Sequence, residues 1–226
     1  MQQYLDNPVW NALSTEHKHL SLGNALAKRY QPDFSPLAGL VEQSPEAYAA
    51  LGDYVEALKL AVICTPDPVI LPAGWKELGG GKGAQMICDK LIPCKEFDMV
   101  VLTHADVPAM KELVDLTQPG PFEKRTIDFG TYYGIKDGDK LVAMAGERTK
   151  VPGGGEISAV CTHPDFQGRG YARALVNAVA KNLIAAGLQP YLHVRAENAA
   201  GIHTYQSIGF KIRRELYFTG IAQKSD

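Results

Sequence analysis

Residues 163–172 read HPDFQGRGYA, with two glycines one residue apart directly ahead of a long amphipathic helical pattern, GYARALVNAVAKNLIAAG at 170–187. A helix begun in this way presents backbone N–H groups that have no intrahelical partner. Glycines at its entry remove side chains that would obstruct a ligand and accept the φ values such a turn demands. Helix dipole and free amides together favour an anion such as a phosphate or pyrophosphate. A lone Gly-x-Gly more often makes only a tight strand-to-helix turn, so the flanking sequence has to decide between a turn and a site.

Outward from this stretch the pattern is regular. FDMVVLT (97–103) reads as a strand, and Asp106 to Leu116, with Pro108 near its start and QPGP behind it, as a helix. TYYGIKD and KLVAMAGERTKV read as strands joined by the Asp-Gly turn of KDGDK, and VPGGGE turns the chain into EISAVCTH. In the helix at 170–187, Ala172, Leu175, Val176, Val179, Leu183 and Ile184 form one apolar stripe, and Gly187 is a natural stop. PYLHVRA is then a strand, NAAGIHTYQSIG a short helix and FKIRRELYFTG a last strand. The order strand, helix, three antiparallel strands, helix, strand, helix, strand implies a mixed α/β layer on one central sheet, mainly antiparallel and flanked by helices.

The first ninety residues read differently. EHKHLSLGNALAKRY (16–30) and SPEAYAALGDYVEALKLAVI (44–63) carry helical spacings, and Ser44 with Pro45, Glu46 and Ala47 makes a helix start. AVICTPDPVILP (61–72) is β-branched but broken by Pro66, Pro68 and Pro72, which predicts an edge strand. The GGGKG at 79–83 lacks the Ser or Thr that a phosphate loop needs after its lysine, and reads as a flexible turn. We therefore expect an N-terminal helical and strand subdomain at 1–94 and a second domain at 95–226.

Composition bounds the function. Among 226 residues, 46% are hydrophobic and 21% charged, enough for a real core, and no run approaches the roughly 18 apolar residues of a membrane span. A net charge of -2 gives no general reason to bind nucleic acid or anionic lipid. The N-terminus lacks the basic and apolar regions of a secretion signal, and Cys64, Cys88, Cys94 and Cys161 form no CxxC pair, so buried free thiols and a cytoplasmic location are expected. No metal site is expected, the His17 and His19 pair included.

With its flanks, EISAVCTHPDFQGRGYARALV resembles the acyl-CoA-binding motif of the GNAT superfamily of N-acyltransferases: Gln or Arg, two residues, Gly, one residue, then Gly or Ala. Here it stands in full as Gln167, Gly168, Arg169, Gly170, Tyr171 and Ala172. NAAGIHTYQSIGF (198–210) is similar to the later family segment in which an Asn opens a short helix, a Tyr follows seven residues on, and Gly-Phe leads into the last strand. Gly201 departs from the usual small residue there and should weaken the helix slightly. The resemblance covers 97 to about 219. Residues 1–90 bear a weaker likeness to the glycine N-acyltransferase-like branch, in which a diverged acyltransferase-like half precedes the catalytic one. That half shows no counterpart of the glycine motif, which implies that it binds no CoA.

The resemblance implies an acetyltransferase fold, acetyl-CoA or another short acyl-CoA as cosubstrate without a metal, and direct attack of a primary amine on the thioester. Residues 167–172 would hold the CoA pyrophosphate through main-chain amides. Val160 and Thr162 would lie at a bulge opposite the pantetheine arm, with the Val160 N–H polarising the thioester carbonyl. Asn198 would contact pantetheine or orient the short helix. Glu156, four residues before Val160, stands where some members carry the base that frees the amine, and Tyr205 where they carry the acid that protonates the departing thiolate. Glu156 also reads as a solvated strand end and Tyr205 as packing with Ile202 and Ile208. Cys161 is better read as packing than as a nucleophile, His203 lies off the Tyr205 face, and His163 and His193 are weaker candidates for touching the amine. A small amine or amino acid is favoured over a protein as acceptor, the fold allows a homodimer, and the rival reading is an inactive CoA-binding sensor or scaffold.

Overall fold

The computed structural model describes residues 1–56 and 59–224. Its strands are β1 (Ser21–Gly23), β2 (Ala27–Tyr30), β3 (Leu37–Leu40), β4 (Ala61–Thr65), β5 (Trp75–Cys88), β6 (Val100–Val101), β7 (Tyr132–Asp137), β8 (Lys140–Val151), β9 (Gly154–Thr162), β10 (Gln189–Arg195) and β11 (Phe210–Gln223). The α-helices are α1 (Pro8–Ser14), α2 (Pro45–Gly52), α3 (Val107–Thr117), α4 (Tyr171–Ala185) and α5 (Ala199–Gln206). All eleven strands join one sheet in the order β1-β2-β3-β4-β11-β5-β10-β9-β8-β7-β6. Strands from before and after residue 94 are interleaved in it: β5 pairs with β10 and β11, and β11 reaches across to β4.

From residue 100 onward the element order is the expected one. Gly138 (φ +59°) and Gly153 (φ +74°) occupy the two hairpin turns, where a side chain would be strained. Leu175, Val176, Val179 and Leu183 of α4 are buried against Ile157, Leu192 and Val194 of the sheet, whereas Ile184 is turned to solvent. The expected strand at 97–103 is paired only at Val100–Val101, an exposed edge beside β7.

The N-terminal region differs from expectation at four places. The helix expected over 16–30 is a 3₁₀ turn followed by the β1–β2 hairpin, because Gly23 (φ +139°) reverses the chain and Asn24 Oδ1 accepts from the amides of Leu26 and Ala27. The helix at 44–63 starts as expected, with the Ala47 N–H donating to Ser44 Oγ, but ends at Gly52; the part of that expectation at residues 57 and 58 lies outside the described residues. β4 is an interior strand, parallel to β3 and antiparallel to β11, since Pro66, Pro68 and Pro72 all fall beyond its end.

The fourth is the glycine run GGGKG, which is no turn but the middle of the fourteen-residue β5. Two of its glycines, Gly80 and Gly83, answer to close approach rather than flexibility. A Cβ on Gly80 would stand 2.2 Å from the Phe218 carbonyl oxygen, and one on Gly83 would stand 2.7 Å from the Phe218 ring.

Candidate active site

The site is made where two parallel strands part. β9 and β10 pair from Gly154 and Gln189 to Ile157 and Leu192, and no further. Beyond that point Ser158, Cys161 and Thr162 pair with β8, while His193, Val194 and Arg195 pair with β5. The sheet therefore opens into a V between Val160 on one side and Arg195 on the other.

A bulge shapes the β9 edge of this opening. Ser158 opposes Gly146 and Cys161 opposes Met144, so Ala159 and Val160 together face the single residue Ala145. Ala159 holds φ +51°, a left-handed value uncommon for a residue with a side chain. The extra residue takes its neighbours out of the ladder, which frees main-chain groups at the mouth of the V. Thr162 Oγ1, at the same edge, is buried and has no hydrogen-bond partner.

The glycine turn follows at once. Gly168 (φ +75°) and Gly170 (φ +89°) are both left-handed, and Gly170 is the residue at which α4 begins. A Cβ on Gly168 would meet nothing within 4 Å, so main-chain conformation rather than crowding requires glycine there. No side chain caps α4, which leaves its first amides to a ligand. The flanking side chains are held by neighbours: the Tyr171 ring meets Phe97 edge to face at 4.9 Å, and the Arg169 guanidinium lies 4.6 Å from the Phe166 ring centre. Gln167 Nε2 reaches back toward the Thr162 carbonyl at 3.5 Å, and Ala172 is half-buried in the first turn of α4. Bare amides, a glycine cradle and an orphaned hydroxyl along one edge fit a long ligand with a pyrophosphate at one end and hydrogen-bonding amides along its arm.

Across the V, Asn198 Oδ1 accepts from the Gly201 N–H at 2.9 Å and caps α5, so its role in the structure is to orient that helix. A Cβ on Gly201 would lie 2.7 Å from Asn198 Nδ2, so the glycine lets the cap close. Tyr205 packs against the α4 core and Phe210, and burial pushes its phenol up to about 12. Gly209 (φ +104°) is required twice, by its conformation and by the Lys90 carbonyl oxygen 2.1 Å from where its Cβ would stand.

Glu156 is not a solvated strand end. It is 2% exposed and its carboxylate is fully engaged: Arg148 donates from Nε (3.0 Å) and Nη2 (2.6 Å), the Thr149 amide donates at 3.3 Å, and His193 Nδ1 lies at 2.7 Å. A second bulge, in β8 at Arg148 and Thr149 opposite Glu156, aims Arg148 at it. Burial alone raises the carboxyl pKa, but the Arg148 guanidinium and the His193 hydrogen bond outweigh it and hold the group well below the usual carboxylate range. An ion so well paired is a poor proton acceptor.

His193 is the residue whose importance the sequence understated. Gln85 Nε2 donates to the Leu5 carbonyl and faces His193 Nε2 at 3.0 Å, while Gln85 Oε1 accepts from Arg213. That orientation of the amide leaves Nε2 as acceptor and gives Nδ1–H to Glu156. Only the chain fold brings Gln85 here, from β5, 108 residues away. Of the other candidates, His163 Nε2 meets Lys140 Nζ at 2.9 Å, and His203 is exposed. Cys161 is buried, with its thiol pushed up to about 12 by burial, which makes it packing rather than a nucleophile. Among the described residues there is no His, Cys, Asp and Glu group suited to a metal, and no helix long and apolar enough to cross a membrane.

Comparison with known proteins agrees with this geometry. The FR47-like protein family matches residues 132–219. The ribosomal protein bS18-alanine N-acetyltransferase of Salmonella typhimurium is 32% identical over 129 residues, which are 53% of this chain and 86% of that protein. N-alpha-acetyltransferase RimI of Mycobacterium tuberculosis is 32% identical over 131 residues, 51% of this chain and 81% of its own. A GNAT-family acetyltransferase structure from Novosphingobium aromaticivorans is 36% identical and superposes with a TM-score of 0.89 over 98% of this chain and 99% of that one. An N-acetyltransferase structure from Kribbella flavida, at 12% identity and TM-score 0.67, shares the fold alone. The chain belongs to the GNAT family of acetyl-CoA-dependent N-acetyltransferases.

Proposed function

We propose that the protein acetylates the primary amine of a small acceptor by direct attack within a ternary complex. The observation that carries this reading is the parting of β9 and β10, with a bulge on one edge, a glycine-led helix start behind it and a half-buried tyrosine across it. Acetyl-CoA, when bound, supplies a thioester already activated toward amines. Gln167, Gly168, Arg169, Gly170, Tyr171 and Ala172 hold its pyrophosphate on main-chain amides, and Val160 and Thr162 line its arm with the groups that the bulge releases. In this reading the Val160 N–H donates to the thioester oxygen as charge gathers there. Asn198 fixes α5, and through it Tyr205.

Tyr205 donates to the leaving sulfur. A CoA thiol titrates near ~8.5, well below a phenol at about 12, so the phenol stays protonated throughout and acts as a hydrogen-bond donor. Glu156 orients His193 and balances Arg148 rather than taking a proton itself. The acceptor then enters as its free base, the proton its nitrogen loses as the amide forms passes to the departing thiolate, which leaves as the CoA thiol, and turnover follows the neutral amine fraction.

Two features support a small acceptor. The sheet face opposite α4 is walled by Arg29, Pro36, Tyr54 and Leu60 as well as by α3, and the cleft left between them is about 740 Å³, the size of a small-ligand site. We also propose that residues 1–94 are a diverged acyltransferase-like half. β2–β3–α2–β4 repeats the antiparallel-then-parallel pattern of β8–β9–α4–β10. Its helix start lacks glycine, is closed by Ser44 and has Glu46 in its first turn, all unfavourable to a pyrophosphate. Thiol release from acetyl-CoA across a panel of amines tests the activity; CoA binding without turnover on any of them would favour the sensor reading instead.

A further inference from the structure

The 740 Å³ cleft lies on the sheet face away from α4. In β10, Leu192 and Val194 point into the core beneath α4, so His193 and Arg195 face the other way, and Arg195 lines the cleft where β10 has left β9. Val114 and Phe122, on the opposite wall, belong to the cluster that also packs Ala159 and Cys161 of the bulge. The cleft thus borders the V from the side an acceptor must use if CoA lies along α4.

Its floor holds an unusual cation. Arg29 of β2 is 5% exposed, yet among the described residues its guanidinium hydrogen-bonds only to main-chain carbonyls, Tyr30 through Nε and Tyr54 through Nη1, both at 3.0 Å. Among the described residues it has no carboxylate within ion-pair distance. Burial lowers the guanidinium pKa, and the Glu56 carboxylate on the same lining, beyond ion-pair distance, offsets that penalty only in part. Arg195, exposed at the opening, also has no ion-pair partner among the described residues, whereas Lys111 on the wall is already neutralised by Asp115 at 3.5 Å. Two guanidiniums facing one cavity, with apolar Val114, Phe122 and Leu60 around them, suit a planar anion at the end of an apolar body.

We infer that the acceptor is a carboxylate-bearing amine of amino-acid size, its carboxylate held by Arg29 and Arg195 and its apolar part by Val114, Phe122 and Leu60. That this ligand is the acceptor rests on the acetyl-transfer reading above; that the cleft selects a carboxylate does not. Glu56 and Glu123, also on the lining, lie within reach of the ammonium end before it loses its proton.

The test separates the two. Calorimetry compares N-acetylphenylalanine with N-acetylphenylalaninamide, product-like probes that differ in the carboxylate and carry no titrating amine. The carboxylate should bind at least about tenfold tighter, the ratio of one charge-assisted bidentate contact. That ratio should fall about tenfold in Arg195→Gln, an exposed position that spares the fold, and partly in Arg29→Lys. The corresponding phosphonate should bind more weakly than the carboxylate. Equal binding of acid and amide, a ratio unchanged in both variants, or preference for the phosphonate overturns the inference. Selective carboxylate binding without acetyl transfer to any amine would instead overturn the proposed activity and leave the carboxylate site standing.

Discussion

His193 Nδ1 lies 2.7 Å from Glu156 Oε1, across the point at which their two strands cease to pair. The contact ties the Glu156–Tyr191 rung, one before the last of the parallel ladder, to the first residue of the free edge. With Arg148 on the other side of the carboxylate, it makes an ion cluster under the V whose members are all shielded from solvent.

Removing one member leaves its partners stranded. Glu156→Gln should lower stability by about 3–5 kcal/mol in urea unfolding, because the Arg148 guanidinium, 13% exposed, would lose its counter-ion. Glu156→Gln with Arg148→Met should recover most of that loss. If Glu156 were instead a free base, the single variant would fold as well as the parent and lose only activity. The pH profile of kcat/KM gives a second readout: it should climb about tenfold per unit below the acceptor amine's own pKa and show no inflection from a carboxylate.

Tyr205→Phe keeps the ring and removes the donor. It should lower kcat about 10²-fold while leaving CoA affinity within about twofold, as measured by steady-state thiol release and by calorimetry. An equal loss in both would make Tyr205 a packing residue.

Ala159 carries the strain of the bulge. Because φ is +51°, Ala159→Gly should stabilise the fold by about 0.5–1 kcal/mol, contrary to the usual effect of glycine in a strand, and Ala159→Val should destabilise it by more. Chemical denaturation of the two variants reads both signs. A destabilised glycine variant would mean that the bulge is not a built feature of β9.

His17 makes stability depend on pH. Buried between Tyr30 and Phe129, it is held neutral, with its pKa pushed down to about 4 by burial. The unfolded chain takes up this proton near pH ~6.5, so the unfolded state binds more protons between there and about 4. Stability contributed by His17 is thus complete above ~6.5 and lost progressively as pH falls toward 4. Replacing it with the neutral isostere, His17→Asn, should flatten that part of a stability-against-pH curve; an unchanged slope would contradict the burial argument.

The C-terminal part was legible in the sequence because its signals are local. Turn glycines at Gly138 and Gly153, the stripe of α4 and the Gly168–Gly170 entry all act over a few residues and fix their own conformations. The N-terminal part failed where the cause is remote. Gly80 and Gly83 read as a turn because nothing nearby shows that Phe218 will pack on them, and β4 reads as an edge strand because of the prolines behind it, while the partner β11 that makes it interior comes from the far end of the chain. Within the site, Glu156 and His193 could be named as polar residues on strands, but Arg148 reaches Glu156 only through a bulge, and Gln85 reaches His193 only through an interleaved strand. Spacing along the chain encodes neither.

The central claim is that the V between β9 and β10 is a working acetyl-transfer site. The direct measurement is single-turnover thiol release from acetyl-CoA with a carboxylate-bearing amine, in the parent and in Tyr205→Phe, with the N-acetyl product identified by mass. The account predicts one equivalent of thiol and one of N-acetyl product, at a rate about 10²-fold lower in the variant. Thiol release without N-acetyl product, or a rate indifferent to Tyr205, would contradict it.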